Sequence, residues 1–169
     1  MENTVKFYVL SYRDVRTYLL ALLFVLGNLV LPQLFHLVPR GGMIWLPIYF
    51  FTLIGAYKYG WKVGLLTAIA SPLLNSILFG MPSSVVLPSI LLKSLLLAVA
   101  AGFLSHRYQR VSLLILSGVI LFYQCLGTLG EWVISGNLDA ALQDIRIGIP
   151  GVLLQLFGGY LLIKYVMRK

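Results

Sequence analysis

Charge is the scarcest feature of this sequence. Only 11% of its 169 residues are Asp, Glu, Lys or Arg, where a soluble domain carries about 25%. Acid is scarcer still, with 5 Asp and Glu against 13 Lys and Arg. A surface this poor in charge excludes a soluble core wrapped in water. The single cysteine, Cys125, excludes an internal disulfide and a multi-cysteine metal site. The two histidines, His36 and His106, are far apart and fall at opposite ends of the expected bundle, which excludes a His-based metal site. There is no glycine-rich phosphate loop, nucleophile elbow or paired carboxylate. A non-enzymatic role with no cofactor is therefore expected.

What the chain has in quantity is apolar sequence, 60% of its residues, with a mean hydropathy of +0.93. A hydrocarbon core of about 30 Å needs roughly 20 apolar residues per helix. Residues 15–169 break into apolar runs that predict an all-α, six-helix transmembrane bundle forming one domain, 1–169. The expected spans are 15–37, 44–57, 63–79, 85–105, 111–134 and 147–167. Ser11 and Asp14 fit a capping box at the start of the first span. Pro32 should kink its second half and Pro72 should interrupt the third. Residues 1–14 are mixed polar and the first run is too long for a signal sequence, so no cleavable signal is expected.

The positive charges then fix an orientation. Lys6, Arg13, Arg16, Lys58, Lys62, Arg107, Arg110, Lys164, Arg168 and Lys169 fall on one side, and only Arg40 and Arg146 on the other. Ten against two makes the first side cytoplasmic, with both termini there. The net charge of +8 is thus a topology signal rather than a nucleic-acid footprint. A multi-pass protein of a bacterial cytoplasmic membrane is expected, in contact with lipid and not with nucleic acid.

In such a protein the few polar residues within spans carry the information. Lys93 lies about 12 Å into the fourth span at 1.5 Å per residue, where a charge costs about 2.5–3.5 kcal/mol. It should meet either an anionic group of a ligand or Glu131. Gln124, Thr128, Glu131 and Ser135 step by four, three and four along one face of the fifth span. Gly64, Thr67, Ser71 and Asn75 share a face of the third, and Gly151, Gln155 and Gly159 a face of the sixth. Each stripe is either helix–helix packing or a lining for a ligand. Trp45, Tyr49, Tyr123 and Trp132 lie at the same outer depth, as membrane anchors or as walls of a pocket. The residues expected at a binding site are Lys93, Asn75, Gln124, Glu131, Thr128, Gln155, Trp45 and Tyr123. Pro39, Arg40, Gly41 and Gly42 make a sharply turned loop, with positive φ available at both glycines.

The stretch from Pro39, Arg40, Gly41 and Gly42 through Leu46, Pro47, Gly55, Gly60 and Gly64 to Pro72, Asn75, Gly80, Met81 and Pro82 resembles the substrate-binding S components of energy-coupling factor (ECF) vitamin transporters. The resemblance is clearest over residues 38–104. It implies a receptor that takes a vitamin or related micronutrient from outside and docks on a transmembrane coupling subunit with two cytoplasmic ATPases. It implies that the loop Val38–Ile44 closes over the ligand and that spans four to six and the outer loops supply most contacts. The family's Ala-xxx-Ala docking motif has its nearest match in Thr17 and Ala21. The His-rich N-terminus of nickel and cobalt members is absent. Lys93 favours a carboxylate-bearing vitamin such as biotin, lipoate or pantothenate over cationic thiamine. Two other classes compete: a structural protein of the bacterial cell-shape or envelope machinery, and an integral membrane enzyme.

Overall fold

Apolar runs punctuated by Gly, Pro and short polar turns fold here into helices, with no strand among the described residues. The structure, a computed structural model, describes residues 7–166. Lys6, Arg168 and Lys169, placed above on the cytoplasmic side, and the end of the sixth expected span lie outside the described residues.

Helix α1 (Val15–His36) starts one turn later than the capping box suggested. Its cap is Asp14, whose carboxylate accepts from Arg16 N–H at 2.9 Å. Ser11 instead offers its carbonyl to the Thr17 hydroxyl at 2.6 Å. The chain then turns through Arg40 into α2 (Gly41–Trp45), a 3-10 turn (Pro47–Tyr49) and α3 (Phe50–Tyr59). Helices α4 (Trp61–Phe79), α5 (Leu87–Tyr108) and α6 (Leu113–Ser135) follow. Two short helices, α7 (Leu138–Ala141) and α8 (Gln143–Ile147), lead into α9 (Ile149–Leu153). That last rod continues as α10 (Gly159–Leu161) flanked by π-helical stretches Leu154–Gly158 and Leu162–Val166.

Among the described residues, four helices are long and apolar enough to cross a membrane: α1, α4, α5 and α6. A fifth candidate arises if Leu138–Ile147 and Ile149–Tyr165, bent by 55°, count as one span. The chain is thus a multi-pass α-helical membrane protein with four to five such helices. The expected span 44–57 is where sequence and structure part. Leu46 sits at φ 47, and Pro47, which has no N–H to continue a helix, follows it. What remains, α3, has 10 residues, or about 15 Å of rise, half of a hydrocarbon core. Within residues 39–46 the left-handed residues are Arg40 and Leu46, not Gly41 and Gly42. Gly41 and Gly42 provide room instead, since a Cβ there would collide with the Phe35 carbonyl or the His36 ring.

Short α3 is the centre of the bundle. Leu53, Ile54, Ala56 and Tyr57 are fully buried, packed among α1, α4 and α5. The outer faces are apolar: Leu19, Leu22, Leu23, Leu26 and Val30 on α1, and Leu114, Leu121, Leu129 and Val133 on α6, are exposed. Buried polar groups, among them Asn28, Thr52, Ser71, Lys93 and Gln155, sit inside. A lipid-facing bundle reads this way, with polar groups that can hydrogen-bond between helices set within an apolar core.

The two ends differ. At one, Tyr8 N–H donates to the Lys58 carbonyl at 3.0 Å and the Tyr57 hydroxyl to the Arg110 carbonyl at 2.8 Å. This gathers Arg13, Lys58, Lys62, Arg107 and Arg110 into a basic end. At the other, the turns after α1 and α4 meet α8 around a cavity.

Candidate ligand-binding cavity

The cavity holds about 440 Å3. Its walls come from the end of α1 (Pro32, His36), from Gly42 and Met43 of α2, and from Leu46 to Tyr49. Asn75 of α4, the turn Gly80–Ser83, Val86 and Ile90 of α5, and Asp144 of α8 complete it. Most of this lining is apolar, with a few convergent polar atoms, which is how small-molecule sites are built.

The Asn75 amide is placed by a chain of local causes. Pro32 has no N–H, so the Asn28 carbonyl one turn back loses its helical partner. Asn75 Nδ2 takes that carbonyl at 2.9 Å and the Ser71 carbonyl at 2.9 Å. Its Oδ1 is left buried with no partner in the protein, on a residue 1% exposed that lines the cavity. It is one of seven such buried atoms among the described residues, and Asn75 is the residue among them that lines the cavity.

Lys93 was expected to meet a ligand's anionic group or Glu131. It meets Glu131 Oε2 at 2.5 Å and also Asp144 Oδ2 at 2.6 Å. Its stem passes Gly127 of α6, where a Cβ would strike Lys93 Cγ. With carboxylates on two sides of the ammonium, the case for a carboxylate-bearing vitamin loses its charge. The cluster reaches the cavity through Asp144, not through Lys93.

The other expected residues separate. Tyr123, fully buried, donates to Gln155 Oε1 at 2.8 Å and lies 5.5 Å from the Tyr49 ring. Gln155 Nε2, both amide atoms of Gln124 and the Thr128 hydroxyl are buried without partners. These four residues form a polar interior against α6 but do not line the cavity. Trp45 stacks on Phe35 at 5.2 Å, and its carbonyl abuts Gly151. Of the four loop residues Pro39 to Gly42, Gly42 borders the cavity, while Pro39, Arg40 and Gly41 shape the turn that brings it there. Thr17 and Ala21 are 0% and 5% exposed. They face into the bundle, so the face of α1 open to a partner is the leucine-rich one.

Sequence reasoning missed Asp144 as a site residue and missed Asn28 altogether. Asp144 carried a signal, an acid on the same near-neutral side as Lys93. Asn28 also carried one, an amide four residues before an in-helix proline. Comparison with models of known families, with curated proteins and with solved structures gives no match.

Proposed function

We propose that this chain is the membrane-embedded substrate-capture subunit of an ECF-type importer, binding a vitamin-like small molecule from outside the bacterial cytoplasmic membrane. The observation that carries the reading is the cavity beneath residues 38–46 with a buried, unpartnered acceptor on its wall. The cavity lies at the end poor in basic residues, which the charge asymmetry puts outside. In this reading the broken segment 41–59 is a sixth, interrupted crossing, and both termini are cytoplasmic. The chain is one substrate-binding domain that does no chemistry. A transmembrane coupling subunit and two cytoplasmic ATPases supply the energy, and the exposed leucines of α1 are the face offered to the coupling subunit.

Binding is tested by melting the purified protein in detergent against a panel of water-soluble vitamins. A ligand at 100 times its Kd stabilises by about 2.7 kcal/mol. One vitamin should raise the melting temperature, and no concentrative uptake should occur in proteoliposomes holding this chain alone. A flat panel supports the envelope-scaffold alternative. Uptake by the isolated chain removes the need for ATPases.

Topology is tested separately. In a Cys125→Ala background, cysteine at the exposed Ser83 should react with an impermeant thiol reagent from outside, and cysteine at the exposed Gln109 should not. The reverse pattern inverts the protein.

A further inference from the structure

Two of the cavity's polar side chains present acceptors. Asn75 Oδ1 is an acceptor with no donor. Asp144 brings a carboxylate, and behind it one ammonium faces two carboxylates, leaving one net negative charge. Apart from His36, no basic side chain lines the cavity. The near-neutral end offers little to offset that charge. Arg146 is exposed and engaged with Asp139 at 3.1 Å, and Arg40 is not part of the lining. A charge at the edge of an apolar cavity is costly unless paired.

We infer that the cavity takes a small organic cation, with its positive group on Asp144 and an N–H of the same ligand donating to Asn75 Oδ1. This rests on the substrate-capture reading and narrows its ligand class. Lys93 then orients the two carboxylates, and the triad keeps one net negative charge to attract the cation. The second oxygen of Asp144, which Lys93 does not contact, is the one left for the ligand. An acidic cluster alone would not specify a site. Here Asn75, on a different helix, lines the same cavity and carries a buried, unpartnered oxygen, the second half of a donor-recognising pair. A carboxylate ligand would put its oxygens against Asp144 and Asn75 Oδ1, and both contacts would be repulsive.

The experiment uses the full chain in detergent, equilibrated with one equimolar mixture: thiamine and pyridoxamine as cations, nicotinamide and riboflavin as neutral compounds, and biotin, lipoate and pantothenate as carboxylates. After rapid gel filtration the retained compounds are identified by mass spectrometry. The expected result is retention from the cationic set, weakened about tenfold or more by Asp144→Asn with melting followed in parallel. Because Asp144→Asn also touches Lys93 and could impair folding, Ser83→Lys provides an independent arm. It adds a cation at the exposed cavity rim, and it should weaken retention where Ser83→Gln does not. Retention of only neutral or carboxylate compounds overturns the cation assignment and leaves the capture reading standing. A retained cation indifferent to both Asp144→Asn and Ser83→Lys also overturns it. Retention of nothing defeats the capture reading, and this inference with it.

Discussion

Lys93→Met should destabilise the protein by about 3 kcal/mol. Methionine keeps most of the lysine stem, so the packing past Gly127 survives and the change is chiefly one of charge. What is lost is the cation that bridges Glu131 and Asp144, and removing one partner of a buried ion pair costs roughly 3–5 kcal/mol. The lower figure applies because the two carboxylates are 15% and 22% exposed and keep some solvent. For a chain of this length 1 kcal/mol moves the melting temperature by about 2–4 °C, so the loss is readily seen. Adding Glu131→Gln and Asp144→Asn to Lys93→Met should restore most of it, since a neutral trio strands no charge. The opposite outcome is equally informative. If Lys93→Met melts higher than wild type, the insertion cost of a mid-span lysine, about 2.5–3.5 kcal/mol, outweighs its pairing. The triad would then not be what joins α5, α6 and α8.

The pattern behind that result was partly visible in the sequence. Helices α1, α4, α5 and α6 follow from apolar runs bounded by Asp14, Gly60, Gly80, Gln109, Ser112 and Gly136, and their limits differ from expectation by two to three residues at most. Period and hydropathy govern such segments locally. The segment 41–59 was not legible, because a continuous apolar run says nothing of the left-handed turn at Leu46, which is held by packing against Gly151 and α9. In the same way the faces carrying Asn75 and Lys93 could be read from spacing, whereas their partners could not. Asn75 answers a carbonyl freed on α1, and Lys93 answers an acid from α8, 51 residues away. Stripes show which residues point inward; which of them meet is set by how the helices are stacked. That is why Gln124, Thr128, Gln155 and Asn75, alike on paper, divide between an interior layer and a cavity wall.

Asn28→Leu should cost about as much as the lysine change, for a different reason. Helix α3 begins without a side-chain cap of its own, and the first N–H groups of a helix have no internal partner. Asn28, on α1, supplies one: its Oδ1 accepts from Phe51 N–H at 3.2 Å. Its Nδ2 donates to Thr52 Oγ1 at 3.0 Å and to Ser71 Oγ at 3.1 Å. One fully buried amide therefore ties α1, α3 and α4 together. Leucine would strand three polar groups, each worth about 1–3 kcal/mol when buried and unsatisfied. The two hydroxyls can swing to carbonyls of their own helices; the Phe51 N–H cannot, and a total loss of about 3 kcal/mol follows. Thr52→Val alone should cost about 1 kcal/mol. The double Asn28→Leu, Thr52→Val variant should melt no lower than Asn28→Leu, because the second change removes a group the first had stranded. The Asn28 backbone carbonyl, and with it the anchor of Asn75, is untouched by these side-chain changes. Folded Asn28→Leu protein should therefore hold ligand with the affinity of wild type. A variant that melts like wild type would show that α3 does not depend on this cap. One that melts normally but loses ligand would move Asn28 from the frame of the bundle to the cavity itself.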